Sequence, residues 1–394
     1  MNRYLLGVVM IALVSILGCK EEKKITQITS AIEQHFAPDR RENVYNISCK
    51  RISSMTYIIS GETDSETVKK ALLDTLNQNG YHIIDSITVL PCHVTEPWGI
   101  ITLSVANLRS DPSHAAEMLT QALMGTPVKI LKEQEGWAYV QTPDRYLAWC
   151  EKIAIAFMGD STFQHWKQSN RVLVNVPYSF ITDPTTALNI SDAVMGNILE
   201  VKEKQKESLL VQLPDGRQGL IKSTDITPWS SLSDPERLNA ENLKTVALNF
   251  RGIPYLWGGT SMKAVDCSGF VKMVYFMNGM ILARDASQQV KYGIPVSLNE
   301  NLNNLQTGDL LFFASKSGGD RITHVGMYLG DSEIIHASGL VRINSLDSTR
   351  TNYTRYYTSH LHSAKRIIDA DPTKGIVPIA EHPWYSSINN KNSN

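Results

Sequence analysis

The stretch that decides the fold is Asp266-Cys267-Ser268-Gly269-Phe270, which follows a glycine-rich loop. Apolar residues recur every three to four positions after it, at Phe270, Val274 and Met277, and this spacing predicts a helix. Asp266 is a good N-cap residue, so Cys267 is expected in the first helical turn. Free backbone N–H groups and the positive end of the helix dipole favour an anion there. The stretch therefore predicts a helix that begins at a candidate nucleophile.

A helix N-terminus activates such a thiol only modestly. A free cysteine has a pKa of about 8.5, and a helix terminus contributes about 0.3–1 kcal/mol. One pKa unit corresponds to about 1.36 kcal/mol, so the helix alone shifts the thiol by about one unit. We therefore expect that a Cys267 thiol poised well below neutrality needs a cationic partner, which is usually an imidazolium.

Two histidines on neighbouring predicted strands are the candidate partners. Alternation predicts one strand over residues 322–329, with His324 near its start, and another over residues 333–337, which contains His336. A hairpin centred on Gly330-Asp331 would bring the two strands side by side. His324 could then pair with Cys267, and His336 could orient the first imidazole. A lone histidine is most often structural, but the combination favours a Cys-His-His catalytic set.

The order and spacing of these segments resemble the NlpC-type cell-wall peptidases, which are papain-like cysteine enzymes. The resemblance covers about residues 235–367 and includes Gly308-Asp309-Leu310. It implies that Cys267 is the nucleophile, His324 the general base and His336 the orienting third member. It also implies that the Tyr255 hydroxyl helps the Cys267 backbone N–H to bind the oxyanion. Donors aimed at developing charge are often the largest single contribution to catalysis.

Two segments ahead of this domain repeat each other at an offset of 71 to 72 residues. Ser110-Asp111-Pro112, Met124-Gly125 and residues 140–144 recur as Thr182-Asp183-Pro184, Met195-Gly196 and residues 211–215. Short strands separated by turn residues predict a small barrel in each copy. The pattern resembles bacterial SH3-like domains, which position a catalytic domain or bind cell wall. The second copy has Ser208 near the position of Trp137, so a shared binding role is not implied for it.

This domain order resembles the γ-D-glutamyl-L-diamino acid endopeptidases. Those enzymes cut muropeptides after L-Ala-γ-D-Glu and require a free N-terminal L-Ala, so the resemblance implies an anionic pocket for an ammonium group. The implied pocket residues, from the catalytic domain and then from the first SH3-like module, are Asp266, Ser268, Ser287, Glu117 and Tyr146. Asp266 has the structural alternative of a plain helix cap, and both roles can hold. Arg284 is expected to pair either with a substrate carboxylate or with Asp285.

The N-terminus has the pattern of a lipoprotein signal. An apolar run of 14 residues, Tyr4 to Leu17, is too short to span a bilayer of about 30 Å and fits a secretory h-region. It ends in Ile16-Leu17-Gly18-Cys19, which resembles a bacterial lipobox with Cys19 as the lipidation site. The alternative is an ordinary signal peptide with an accidental cysteine. Residues 20–24 resemble the surface-export signal of Bacteroidetes lipoproteins, and periplasm-facing attachment to the cell envelope stays open.

Composition limits the other function classes. The 394 residues are 42% apolar and 20% charged, which is typical of a multidomain globular protein, and the net charge of −1 argues against nucleic acid as a partner. No zinc-binding spacing is present, so we expect no metal and no cofactor. Cys49, Cys92 and Cys150 can form at most one disulfide, and buried thiols are the default. We expect a monomer.

The sequence thus predicts a multidomain α+β protein. Its expected parts are a signal peptide (1–18), a tether (19–30), an α/β unit (31–100), two SH3-like barrels (101–165 and 170–230), a papain-like NlpC catalytic domain (231–370) and a tail (371–394). A helix is predicted from Ser233-Asp234-Pro235-Glu236 through Phe250, and Gly375–Pro378 and Pro383–Tyr385 are candidates for docking onto the body. Two alternatives to a stem-peptide hydrolase stay open: a peptidoglycan-binding lipoprotein with an inactive catalytic domain, and an amidase or endopeptidase acting on intact wall. The choice between Lys and diaminopimelate as the diamino acid also stays open.

Overall fold

The structure, a computed structural model, describes residues 21–298 and 302–386 and divides into two compact units, Met1–Val94 and Thr95–Asn394. The predicted signal peptide and Cys19 lie outside the described residues, as do residues 387–394. Among the helices of the described ranges, none is long and apolar enough to cross a membrane.

The first unit packs two helices and three strands around a small core. Its elements are α1 (residues 21–36), β1 (Tyr45–Arg51), β2 (Thr56–Thr63), α2 (Glu66–Gln78) and β3 (His82–Val89). β1 pairs antiparallel and β3 parallel with β2. The Ser65 side chain caps α2 by accepting from the Val68 N–H, and Leu72 and Leu76 are fully buried. Residues 21–30 of the predicted tether belong to α1, because Ile25 is buried in the core of this unit.

The sequence repeat is confirmed as two seven-stranded antiparallel sheets in the second unit. The first comprises β4 (Trp98–Ile101), β5 (Val105–Arg109), β6 (Met118–Leu123), β7 (Pro127–Gln134), β8 (Trp137–Gln141), β9 (Leu147–Glu151) and β10 (Ile155–Met158). After α3 (Asp160–Gln168), the second comprises β11 (Arg171–Val174), β12 (Tyr178–Thr182), β13 (Asn189–Val194), β14 (Ile198–Lys204), β15 (Ser208–Gln212), β16 (Gln218–Lys222) and β17 (Ile226–Pro228). The strand orders are β10-β4-β7-β8-β9-β5-β6 and β17-β11-β14-β15-β16-β12-β13, so adding seven to each strand number of the first gives the second. Ser208 is the first residue of β15, which is the position that Trp137 occupies in β8.

The C-terminal part of the second unit surrounds one buried helix. Its elements are α4 (Ala240–Asn249), β18 (Thr260–Ser261), β19 (Ala264–Val265), α5 (Cys267–Phe276), β20 (Met280–Leu282), α6 (Ala286–Gln289), β21 (Ile294–Val296), β22 (Leu310–Ala314), β23 (Ile322–Gly330), β24 (Glu333–Ser338), β25 (Leu340–Ser345), α7 (Arg355–His360), β26 (Leu361–Arg366) and β27 (Ile376–Pro378). Six strands form one sheet in the order β21-β26-β22-β23-β24-β25. Phe270, Val271 and Val274 of α5 are fully buried in the same core as residues of that sheet.

The predicted start of α4 is wrong. Pro235–Arg237 forms a single 3₁₀ turn, capped by Asp234, and the α-helix begins only at Ala240. The reason is a second cap, because the Asn239 side chain accepts from the Asn242 N–H and starts a new helix. The helix continues to Asn249, so its end agrees with the prediction.

The chain after the six-stranded sheet docks onto the body, as the sequence indicates. β27 pairs antiparallel with β20, and Tyr385 is buried. The His382 ring is hydrogen-bonded through Nε2 to the Pro143 carbonyl at 3.0 Å, and Arg171 donates to the Tyr385 carbonyl at 3.1 Å. The segment therefore connects the C-terminal domain to both seven-stranded sheets.

Candidate active site

Cys267 is the first residue of α5, as the sequence predicts. Asp266 is the N-cap, and its Oδ1 accepts from the Gly269 N–H at 2.7 Å. A side chain at Gly269 would place its Cβ 2.0 Å from the Gly259 carbonyl oxygen, so the helix can lie this close to the preceding loop only with glycine there. The nucleophile is thus held by a cap and by a close backbone approach.

The surroundings of the thiol keep it neutral at rest. Burial raises the pKa of Cys267 to about 12, and the charge of Asp266 adds to this, while the backbone N–H groups of Val325 and Ser268 lower it. The hydrogen bond from Val325 also places the sulfur against the residue that follows His324. Attack therefore requires that the thiol lose its proton as the substrate arrives.

The two candidate histidines lie on paired strands and contact each other. β23 and β24 are antiparallel, and Gly330 pairs with Glu333 to close the turn. The turn centres on Asp331 and Ser332, whose φ angles of 50° and 59° match a two-residue hairpin turn; it is one residue beyond the predicted centre. His324 Nε2 lies 3.0 Å from His336 Nδ1. The other ring nitrogen of His324, Nδ1, takes no part in this contact.

Burial also keeps both imidazoles neutral. It lowers the pKa of His324 to about 3, with further lowering from His336 and the Arg342 guanidinium. It lowers the pKa of His336 to about 4, although the hydrogen bond that the ring donates to Asn344 opposes this lowering. The Tyr357 ring packs against His336 at a centroid distance of 4.4 Å and restricts its rotation. Burial therefore disfavours the expected imidazolium partner of Cys267, and a neutral His324 is in the state needed to accept a proton.

Tyr255 lies within electrostatic range of Cys267. Its backbone is bridged to Val265, two residues before Cys267. Burial raises the pKa of Tyr255 to about 12, and Cys267 and Asp266 add to the effect. The hydroxyl therefore keeps its proton across the physiological range and can donate to an oxyanion.

Arg284 has a partner that the sequence did not indicate. It makes two hydrogen bonds to Asp266, at 2.7 and 3.1 Å, and donates to the Ser268 hydroxyl at 3.0 Å. Its distance to Asp285, the predicted alternative, is 3.9 Å. Arg284 also donates to Thr120 of the first sheet at 2.7 Å, so this buried pair joins the two domains. Asp266 consequently acts as a helix cap with its charge offset.

The other predicted pocket residues border the same region. Tyr146 is buried and donates to Asp285 Oδ2 at 3.1 Å. Glu117 is exposed and accepts from the indole N–H of Trp257 at 2.7 Å. Ser287 is half-buried in α6, directly after Asp285 and Ala286. The structure thus brings Glu117 and Tyr146 of the first sheet to the loops around Cys267.

A groove separates the first sheet from the loop before the nucleophile. Its volume is about 610 Å³, and its lining includes Val105, Asn107, Met118, Leu256 and Trp257. The Trp257 side chain is 64% exposed, which is high for so large an apolar group. Cys267, His324 and His336 do not line this groove, which adjoins the loop that carries Tyr255 and has room for an extended ligand.

Asn344, which the sequence interpretation missed, completes the site. It lies on β25 with its Oδ1 3.0 Å from His336 Nε2. The signal available in the sequence was a polar residue within an apolar strand that follows the second histidine. Strand alternation alone could not show which neighbour it contacts, because the register of β24 and β25 decides that.

The described residues include four cysteines, of which Cys267 belongs to this site. Within residues 21–298 and 302–386, no cluster of metal-ligating side chains occurs and no disulfide is formed. Cys150 is buried as expected, but Cys92 is half-buried, and Cys49 is exposed on the three-stranded sheet. Its edge-strand position explains the difference, since β1 has only one neighbouring strand.

Comparison with known proteins matches two parts of the chain to families. Residues 252–366 match the NlpC/P60 family, and residues 108–155 match the bacterial dipeptidyl-peptidase Sh3 domain. The chain is 32% identical over 265 residues to dipeptidyl-peptidase 6 of Lysinibacillus sphaericus, covering 64% of this chain and 93% of that protein. It is 30% identical over 233 residues to the gamma-D-glutamyl-L-lysine dipeptidyl-peptidase of Bacillus cereus, covering 57% of this chain and 68% of that protein. A solved NlpC/P60 family protein from Bacillus cereus superposes with a TM-score of 0.60 at 25% identity, covering 68% of this chain and 99% of that one. The chain belongs to the NlpC/P60 family.

Proposed function

We propose that this protein is a cysteine endopeptidase that hydrolyses the γ-D-Glu–L-diamino acid bond of peptidoglycan stem peptides with a free N-terminal L-Ala. The observation that carries the proposal is the arrangement of Cys267, His324 and His336, with a nucleophile at a helix start and two imidazoles 3.0 Å apart. Relatives named gamma-D-glutamyl-L-lysine dipeptidyl-peptidases support the bond that is cut.

The geometry supports a general-base mechanism. The Cys267 thiol passes its proton to His324 Nδ1 as the sulfur attacks the γ-carbonyl carbon of D-Glu. The Cys267 N–H and the Tyr255 hydroxyl donate to the oxyanion that forms. His324 then returns the proton to the amine of the diamino acid, which leaves. Water, deprotonated by His324, hydrolyses the thioester and restores the enzyme.

The ammonium group of L-Ala is proposed to bind among Glu117, Tyr146, Asp266, Ser268 and Ser287. Because Arg284 offsets the charge of Asp266, we assign the net attraction for the ammonium mainly to Glu117. The exposed Trp257 holds Glu117 through its indole N–H. The Arg284 guanidinium already donates to Asp266, Ser268 and Thr120, so we do not assign it to a substrate carboxylate.

We further propose that residues 170–230 form a second SH3-like barrel and that Cys19 carries a lipid anchor in the cell envelope. The identical strand order of the two seven-stranded sheets supports the first proposal. The lipobox-like sequence supports the second. In cells fed an alkyne fatty acid, we expect the wild-type protein to carry the label and the Cys19→Ser variant to stay unlabelled. Equal labelling of the two proteins would contradict the anchor. We also propose that the protein is a monomer.

Cleavage of defined peptides tests the activity. L-Ala-γ-D-Glu-L-Lys and its diaminopimelate counterpart, each with and without N-acetylation, are incubated with the protein and analysed by mass spectrometry. We expect L-Ala-γ-D-Glu to be released only from the free-amine peptides, and Cys267→Ala to release none. Equal cleavage of the acetylated peptides would contradict the amine pocket. No cleavage of any peptide would favour a binding protein or an enzyme of intact wall.

A further inference from the structure

A chain of hydrogen bonds continues past the two histidines to a buried amide. His324 Nε2 lies 3.0 Å from His336 Nδ1, and His336 Nε2 lies 3.0 Å from Asn344 Oδ1. Asn344 Nδ2 donates to the Asn352 carbonyl at 2.8 Å and to the Thr354 hydroxyl at 3.1 Å. Both His336 and Asn344 are buried. Each polar atom in this chain therefore has a protein partner.

The neighbours of Asn344 determine which way its amide faces. The Asn352 carbonyl oxygen has no hydrogen to donate, so the atom 2.8 Å from it must be the NH₂ group of Asn344. The oxygen Oδ1 then necessarily faces His336. Reversing the amide would set two oxygens against each other at one end and an NH₂ against the ring at the other.

This orientation decides where the protons of both imidazoles lie. An oxygen acceptor at 3.0 Å requires an N–H at His336 Nε2, and a neutral imidazole carries only one proton, so His336 Nδ1 is an acceptor. His324 must then donate from Nε2, which leaves its Nδ1 unprotonated. In the opposite arrangement, His324 Nδ1 would carry the proton and could not receive one from Cys267.

We propose that Asn344 is a positioning residue that holds His336 as the Nε2–H tautomer and thereby keeps His324 Nδ1 ready to accept the Cys267 proton. This inference rests on the proposed function of the Cys267, His324 and His336 set. A neutral amide suits the role, because it orients the ring without placing a negative charge next to it. A carboxylate there would favour the imidazolium and oppose the neutral base.

Direct observation of the tautomers tests this inference without a substrate. In ¹⁵N–¹H long-range spectra of the ¹⁵N-labelled wild-type protein at pH 7.5, we expect both rings to show a protonated Nε2 and a bare Nδ1. The signals are assigned by their loss in His324→Gln and His336→Gln. A protonated Nδ1 on either ring would overturn the inference, while leaving peptide cleavage by the wild type intact.

Variants at the end of the chain test the consequence for catalysis. Asn344→Leu keeps the size but removes the acceptor, so we expect kcat for the free-amine tripeptide to fall at least about 10-fold with KM nearly unchanged. Asn344→Asp keeps an acceptor for His336 Nε2–H and adds a negative charge, so we expect partial activity and an acid limb of kcat shifted to higher pH. Unchanged kcat and pH profile in both variants would overturn the proposal.

Thr354→Val is the matched control. It removes one partner of Asn344 Nδ2 but leaves the Asn352 carbonyl, so the amide orientation, the tautomers and the pH profile are expected to stay as in the wild type. A loss in this control as large as in Asn344→Leu would show that local packing, and not the acceptor, matters. If the wild type itself cleaves no tripeptide, the proposed function fails, and the tautomer spectra still decide the inference about Asn344.

Discussion

The two seven-stranded sheets have the same strand order but dock on the catalytic domain in different ways. Gln121 and Asp192 occupy equivalent positions in β6 and β13. Gln121 is buried, and its Oε1 accepts from the Thr260 N–H and the Ser261 hydroxyl at 3.0 Å each. Asp192 pairs with Lys263 at 2.8 Å, but these side chains are 39% and 43% exposed. The two sheets share a fold, so single side chains at equivalent positions determine how strongly each sheet docks on the catalytic domain.

The loops that precede β6 and β13 also differ in their contacts with the catalytic domain. The loop before β6 carries Glu117 to the exposed Trp257 beside the active site. The equivalent loop before β13 ends in Leu188, which is 69% exposed. Of these two loops, the first places a carboxylate beside Trp257 and the second places an apolar side chain in solvent, and the difference can be tested with equivalent substitutions.

Asp144→Asn should have the largest effect on stability. Asp144 is almost fully buried and pairs with Lys272 of α5 at 2.6 Å. An amide would leave the Lys272 cation largely buried without a charge partner, which costs about 3 kcal/mol. The equivalent Asp215→Asn breaks an exposed pair with Arg217 and should cost about 0.5 kcal/mol or less. Urea unfolding followed by tryptophan fluorescence measures both, and similar midpoint shifts would contradict the comparison.

Acid should weaken the segment that docks on the first sheet. Burial lowers the pKa of His382 to about 4, below the unfolded value near 6.5. The unfolded chain therefore binds the proton first, and stability falls as pH decreases through this window by about 1.4 kcal/mol per unit. We expect His382 to account for a loss of about 2 kcal/mol between pH 6.5 and 5, so that His382→Gln loses about that much less than the wild type. The buried His324 and His336, whose pKa values are also lowered, contribute the same loss to both proteins. Parallel pH dependence in wild type and variant would refute this.

Gln121→Ala should have a smaller effect than loss of the buried ion pair. It removes the acceptor for the buried Thr260 N–H and the Ser261 hydroxyl, at a cost of about 1.5 kcal/mol. Asp192→Ala at the equivalent position removes a half-exposed pair and should cost about 0.5 kcal/mol. Thermal unfolding of the two variants measures the difference. An equal loss would mean that both sheets dock with similar strength.

Glu117→Gln should have the smallest effect, and only on substrate binding. Because the carboxylate is exposed, the loss of its charge should raise KM for the free-amine tripeptide about threefold, with kcat unchanged. The amide oxygen can still accept from the Trp257 indole, so the loop should keep its place. Leu188→Gln in the second sheet is the control and should leave KM unaltered. A rise in KM with the control alone would reverse the roles of the two sheets.

Local sequence patterns were enough to predict most of the catalytic set. The start of α5 follows from the cap at Asp266 and from apolar spacing, which are properties of a few adjacent residues. The hairpin that brings His324 and His336 together follows from alternation around one turn. The error at α4 has the same origin, because two capping residues, Asp234 and Asn239, compete within six positions and the sequence does not rank them.

Contacts between distant residues were not predictable in this way. Arg284 is 18 positions from Asp266, and Lys272 is 128 positions from Asp144, so chain proximity does not select either pair. Asn344 meets His336 because of the register between β24 and β25, in which His336 lies opposite Arg342. A shift of one residue would have turned the amide to the other face.

The sequence by itself determined the NlpC-type domain, the nucleophile at a helix start, the two histidine strands and the repeat ahead of them. These features depend on local caps, periodicity and turns, whose energetics act over a few residues. The tertiary structure alone decided which buried charges neutralise one another, which of the two repeats lines the site and which amide ends the histidine chain. Burial and long-range register set those outcomes, because removal from water makes each polar group depend on the particular partner that packing places beside it.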